Sequence, residues 1–74
     1  MALTVKCYAT LAEHSPPEGE TPHAEGHTVA DLLAELRIDP AEVKVIFVNG
    51  LHAGLDQPLR DGDRVGLFPA VGGG

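Results

Sequence analysis

The sequence predicts an α+β domain in which one main helix packs across a mixed sheet of four to five strands. Three observations carry that prediction. A single stretch, Val29, Leu32, Leu33 and Leu36, spaces its apolar residues at i, i+3, i+4 and i+7. Runs of period two lie near both ends, at Leu3, Val5 and Cys7 and again at Val65 and Leu67. Between them residues 44–48 are β-branched and apolar on both sides, as in an inner strand, and are followed by Asn49-Gly50.

Residues 2–8 form the first strand, with Leu3, Val5 and Cys7 facing one side and Thr4, Lys6 and Tyr8 the other. Pro16-Pro17-Glu18-Gly19 and Pro22 break regular structure, so a turn or loop precedes a short second strand near residues 22–25. Thr28 caps the helix, with Asp31 three residues on; Asp31 and Glu35 face water. Asp39-Pro40 ends it, because the residue before a proline resists the α conformation. After the Asn49-Gly50 hairpin, residues 51–53 return as a strand. Asp56-Gln57-Pro58-Leu59 is a loop, and Arg60-Asp61-Gly62-Asp63 turns the chain into the last strand, residues 64–68. The first and last strands are expected side by side at the centre. The domain spans residues 1–71, and Gly72-Gly73-Gly74 form a free tail beyond any pairing.

At 74 residues the chain is one domain. A chain this short buries only about 60% of the surface its unfolded form exposes, which argues against a deep catalytic cavity. Tyr8, Phe47 and Phe68 are the only aromatic residues available to the core, so aliphatic packing must supply most of it. Five basic residues against eleven acidic ones give a net charge of -6, the wrong sign for binding a phosphate backbone, so nucleic acid is not the expected ligand. The same acidity steers toward a basic partner or simply solvates the surface. One cysteine cannot form an intramolecular disulfide, and no apolar run exceeds the four residues 45–48, so no signal peptide and no membrane span are expected and a cytoplasmic location follows. Cys7, on the apolar side of its strand, reads as a small buried hydrophobe rather than a reactive thiol.

Candidate chemistry narrows quickly. His14, His23, His27 and His52 match no zinc spacing and have no second cysteine to join them, so no metal site is expected and exposed loop histidines are the simpler reading. Asp61-Gly62-Asp63 pairs two carboxylates, but without a surrounding calcium loop it is first a turn. Ser15, the single serine, lies in the proline-rich stretch, away from any triad pattern. No glycine run precedes a helix with the lysine that a phosphate loop needs, so the protein is not expected to bind ATP itself. What remains is the C-terminal segment. Three residues without a Cβ can lie extended in a slot too narrow for any side chain, which leaves the Gly74 carboxylate the most accessible reactive group. A frayed glycine terminus is the competing reading, and composition alone does not separate the two.

The segment Leu59-Arg60-Asp61-Gly62-Asp63-Arg64-Val65, followed by Leu67-Phe68-Pro69-Ala70-Val71 and a terminal double glycine, resembles the ubiquitin-like sulfur carriers of the MoaD/ThiS type. These include the small subunit of molybdopterin synthase and the thiamine-biosynthesis sulfur carrier. The resemblance extends back through Val48-Asn49-Gly50, the helix and the first strand, so it covers nearly the whole chain. It implies a ubiquitin-like β-grasp fold and a carrier rather than an enzyme, acting alone or as the small subunit of a synthase. In that family an E1-like adenylyltransferase uses ATP and magnesium to adenylate the carboxylate that Gly74 matches, and a sulfur donor such as a cysteine desulfurase or rhodanese-like protein converts it to a thiocarboxylate. The sulfur then passes to a biosynthetic intermediate held by a large synthase subunit or a thiazole synthase. Gly72 and Gly73 match the tail, and residues 68–71 the stretch that partners grip. Phe68-Pro69-x-Val71 and Asp56-x-Pro58-Leu59 are similar to the molybdopterin branch, which is favoured. Gly26-His27-Thr28-Val29 and the ending Ala70-Val71-Gly72-Gly73-Gly74 are similar to the thiamine branch.

A substituent on the last residue would crowd the reacting carbon, which suits glycine to activation. Ordering a glycine tail costs about 1 to 2 kcal/mol per residue, so binding energy must come from elsewhere. Leu67, Phe68, Pro69 and Val71 are the expected docking cluster. Alternation points Val65 and Leu67 one way and Phe68 the other, and leaves Phe68 open to a role in the core or at the interface. Two other functions share the sequence: a protein modifier joined to target lysines through the same glycine, and an interaction domain with an inert tail.

Overall fold

The computed structural model describes residues 2–22 and 26–69. Its strands are β1 (Ala2–Cys7), β2 (Glu20–Pro22), β3 (Val43–Val48), β4 (Leu51–His52) and β5 (Arg64–Pro69), with one α-helix, α1 (Val29–Leu36). They form a single mixed sheet in the order β2-β1-β5-β3-β4. β1 and β5 run parallel at its centre, with Val5 beside Val65 and Cys7 beside Leu67, while β3 pairs antiparallel with β5 on the other side.

Strand alternation decides what the sheet buries. Leu3, Val5 and Cys7 of β1, Ile46 and Val48 of β3, and Val65 and Leu67 of β5 are buried in one cluster with Val29, Leu32 and Leu33 of α1. Leu11, Ile38 and Leu59 complete the cluster. The core is therefore wholly aliphatic apart from one thiol, and the expectation that the three aromatic residues help build it does not hold. Tyr8, Phe47 and Phe68 alternate to the opposite side, away from α1.

The helix starts where its capping signal says. The Thr28 hydroxyl accepts from the Asp31 N–H at 3.4 Å, and the Asp31 carboxylate accepts from the Thr28 N–H at 2.9 Å. Its last residue, Leu36, lies three before the expected stop at Asp39, because Arg37 adopts a left-handed φ of 60° and its N–H reaches back to Ala34 and Leu33. Asp39 is extended, as a residue before proline must be, and caps a short 3-10 helix, Pro40–Glu42.

Two further expectations shift. The second strand lies upstream, at Glu20–Pro22, because antiparallel pairing sets Leu3 opposite Thr21 and Thr4 opposite Glu20; residues 23–25 lie outside the described residues. The stretch after β1 is not a plain loop. Ala9–His14 form a 3-10 helix that buries Leu11, so one leucine anchors it to the core. The two turns stand as expected. Asn49 and Gly50 take φ of 54° and 82° between β3 and β4, and Gly62 takes 86° before β5.

Candidate functional site

The side of the sheet away from α1 carries the aromatic residues. Tyr8, just past β1, and Phe68 of β5 stack with ring centroids 4.2 Å apart and planes 5° from parallel. Phe47 of β3 meets Phe68 edge-on at 5.8 Å, and His52 of β4 meets Phe47 at 4.6 Å. Three strands and the residue that follows β1 thus contribute to one ladder. Gly66, on the same side of β5, leaves room beneath it: a Cβ there would sit 3.8 Å from both the Tyr8 and Phe68 rings. Beside the ladder is an open groove of about 510 Å³ whose lining includes Val45, Phe47, Phe68 and Pro69.

This geometry settles which side of the sheet Phe68 faces. It is half-buried among other aromatic rings on the open side and takes no place in the aliphatic core. Pro69 lines the same groove. Leu67 does not belong to a docking cluster: its side chain is 0% exposed and packed in the core, because strand alternation turns it away from Phe68. Val71, Gly72, Gly73 and Gly74 lie outside the described residues.

The remaining candidates settle into structural roles. Asp63 accepts from the Arg60 N–H and the Asn49 side-chain amide, both at 2.8 Å, and Asn49 accepts from the Arg64 N–H at 2.9 Å. Asp61 accepts from the Ala2 N–H at 2.6 Å. The acidic turn therefore clamps the start of β5 to β1 and to the hairpin. Cys7 is buried, and burial pushes its thiol pKa up despite a hydrogen bond from Ser15 that opposes the rise. His14 and His27 are half-buried rather than exposed, each 3.5 Å from a glutamate, Glu13 and Glu35. His52 is exposed on β4, and His23 lies outside the described residues. Among the described residues no three His, Cys, Asp or Glu side chains group as a metal site, and no helix is long and apolar enough to cross a membrane.

The family model described as the ThiS family matches residues 5–74. The chain belongs to the ThiS family. No curated protein sequence matches this ThiS-family chain, but solved structures do. A Pyrococcus furiosus protein assigned as molybdopterin converting factor, subunit 1, is 30% identical, with TM-score 0.73 over 96% of this chain and 99% of that one. Small archaeal modifier protein 1 of H. volcanii is 23% identical, with TM-score 0.73 over 95% and 98% of the two chains. SAMP1 from Haloferax volcanii is likewise 23% identical, with TM-score 0.70 over the full length of both. These are ubiquitin-like β-grasp proteins, and that is the fold of this ThiS-family chain. The family is one of small carrier proteins and synthase subunits.

Sequence reasoning missed Tyr8 and Phe47 as members of the aromatic face. Their signal was present in the alternation, since each stands on the side of its strand opposite the buried aliphatics.

Proposed function

We propose that the protein is a sulfur carrier whose Gly74 carboxylate is adenylated by an E1-like enzyme and converted to a thiocarboxylate. The observation that carries this reading is continuity. β5 holds Phe68 and Pro69 on an open aromatic face, and the sequence runs from there into Ala70-Val71-Gly72-Gly73-Gly74 within a ThiS-family match that extends to residue 74. A partner that grips the face has the acyl group within a few residues, each giving at most about 3.3–3.6 Å of reach. In the first step a Gly74 oxygen attacks the α-phosphate of ATP and pyrophosphate leaves. Sulfide then displaces AMP to give the thiocarboxylate directly; where a donor's persulfide is the nucleophile, its terminal sulfur displaces AMP to form an acyl disulfide, and a thiol reductant cleaves the S–S bond to release the thiocarboxylate. The chain's own part is to dock through its face and to offer an acyl carbon with no side chain beside it.

Molybdopterin is the proposed destination, with a large synthase subunit as the receiving partner, supported by the 30% identity to the Pyrococcus furiosus protein. Transfer to a thiazole synthase is the alternative that the ThiS family name brings. A cysteine desulfurase or rhodanese-like protein is the proposed sulfur donor, and magnesium and ATP belong to the activating enzyme.

Incubation with ATP, sulfide and the E1-like adenylyltransferase encoded in the same genome, followed by intact-mass analysis, tests the proposal. An oxygen-to-sulfur mass change confined to the C-terminal peptide supports it. Full adenylation of Gly74→Ala, or of a chain extended by one residue, counts against it. A second reading, conjugation to target lysines, draws on the shared fold with a protein named as a modifier; isopeptide-linked adducts without a thiocarboxylate would favour it.

A further inference from the structure

The charge on the open face is the opposite of the charge on the molecule. The chain has five Lys and Arg against eleven Asp and Glu. Three of those five cations, Lys6, Lys44 and Arg64, line the two grooves that cover the aromatic face, and no Asp or Glu lines either groove. The carboxylate that strand register puts on this side is Glu20, opposite Thr4 on the edge strand β2 and outside both grooves. The ion pairs seen among the described residues join histidines to glutamates elsewhere, and none takes Lys6, Lys44 or Arg64. Lys6 instead rests its ammonium 5.6 Å from the centre of the Tyr8 ring.

We infer that the docking partner presents an apolar pocket rimmed by carboxylates, which Lys6, Lys44 and Arg64 meet while Tyr8, Phe47 and Phe68 fill the pocket. This rests on the reading of the open face as the docking surface, and it reverses what net charge alone suggests, a basic partner. An acidic rim is repelled by the rest of a molecule carrying -6 and attracted only by this face, so encounter and orientation are selected together. Other occupants fit less well. A second copy meeting face to face would set the three cations against themselves. A single-stranded nucleic acid would find rings to stack on and cations for its first phosphates, but its backbone would run on past the face onto a body whose net charge is -6.

The test is the KM of the E1-like adenylyltransferase of the same genome for this protein, read by ATP–pyrophosphate exchange across a salt series. Lys6→Glu, Lys44→Glu and Arg64→Glu are each expected to raise KM about fivefold at low salt with kcat unchanged, and to flatten its salt dependence. Arg37→Glu, which changes charge equally but lies at the end of α1 away from the face, leaves KM unchanged. Thermal melts confirm that each variant is folded. Reversals that leave KM unchanged or lower it overturn the acidic rim. If Phe68→Ser also leaves KM unchanged, the docking face itself falls, which separates the two failures. Self-association that the reversals abolish, or tighter binding to an oligothymidine or to anionic phosphatidylglycerol vesicles than to the enzyme, also overturns the inference.

Discussion

Tyr8 and Phe68 lie ring on ring, 4.2 Å between centroids, although sixty residues of chain separate them. The parallel pairing of β1 with β5, closed by the Tyr8 N–H donating to the Leu67 carbonyl at 3.1 Å, brings them together. Such a stack contributes about 0.5–1.5 kcal/mol beyond the area it buries, yet it stands on the outside of the fold.

The two neighbours Leu67 and Phe68 should therefore fail in different ways. Leu67→Ala removes a side chain with no exposure and is expected to cost about 2–5 kcal/mol, enough to unfold much of so small a domain. Phe68→Ala should cost only about 1–2 kcal/mol, since it is half-buried, while raising the KM for adenylation at least about tenfold. Urea denaturation and pyrophosphate exchange, run side by side, separate the two effects.

Gly66 offers a gentler probe of the same face. A Cβ at that position would lie 3.8 Å from Tyr8 and Phe68 and 3.9 Å from Phe47, ordinary contact distances. Gly66→Ala is expected to stabilise the strand by about 0.5–1 kcal/mol, seen as a higher urea midpoint. Gly66→Val should keep the fold but displace the rings, so a rise in KM without a fall in midpoint is the expected signature.

The capping box ties α1 to pH. The Thr28 N–H, and after it the Thr28 hydroxyl, hold the Asp31 carboxyl below its ordinary value of 3.8. With the folded value depressed, the stabilisation is complete above 3.8 and is lost as pH falls through the folded value. Asp31→Asn should therefore be less stable than the parent at neutral pH and converge with it in acid, by denaturant midpoints across a pH series. Thr28→Ala should lose about 1 kcal/mol at neutral pH.

Cys7 predicts the reverse limb. Burial raises its pKa above 9.0, so the folded state favours the neutral thiol, and that contribution is lost as pH rises through the folded value. At pH 8 its reaction with a disulfide reagent should be slow in the native protein and rapid in urea. Equal rates in both states would place the thiol at the surface.

Local chemistry was legible in the sequence wherever one residue type answered one geometric need. Thr28 with Asp31, Asn49 with Gly50, and Gly62 between two aspartates each announced a cap or turn that the structure contains. Alternation likewise separated Leu67 from Phe68. What it left open was which side the helix would cover, and hence that all three aromatic rings would be stranded on the other. The 3-10 helix around Leu11 was hidden because one buried residue leaves no period to read. The early end of α1 at Arg37 was hidden because arginine is not a residue that advertises a left-handed φ. The aromatic face was half legible for a related reason: Phe68 and Pro69 follow one another, whereas Tyr8, Phe47, Lys6 and Lys44 reach it only through strand pairing.

The place of β5 between β1 and β3 has a mechanical meaning for anything that seizes the residues beyond Pro69. A pull on that segment along the strand strains the ladders on both flanks in shear, many hydrogen bonds at once, instead of peeling a margin open one bond at a time. Load arriving at Pro69 is shared between two neighbouring strands rather than carried by one.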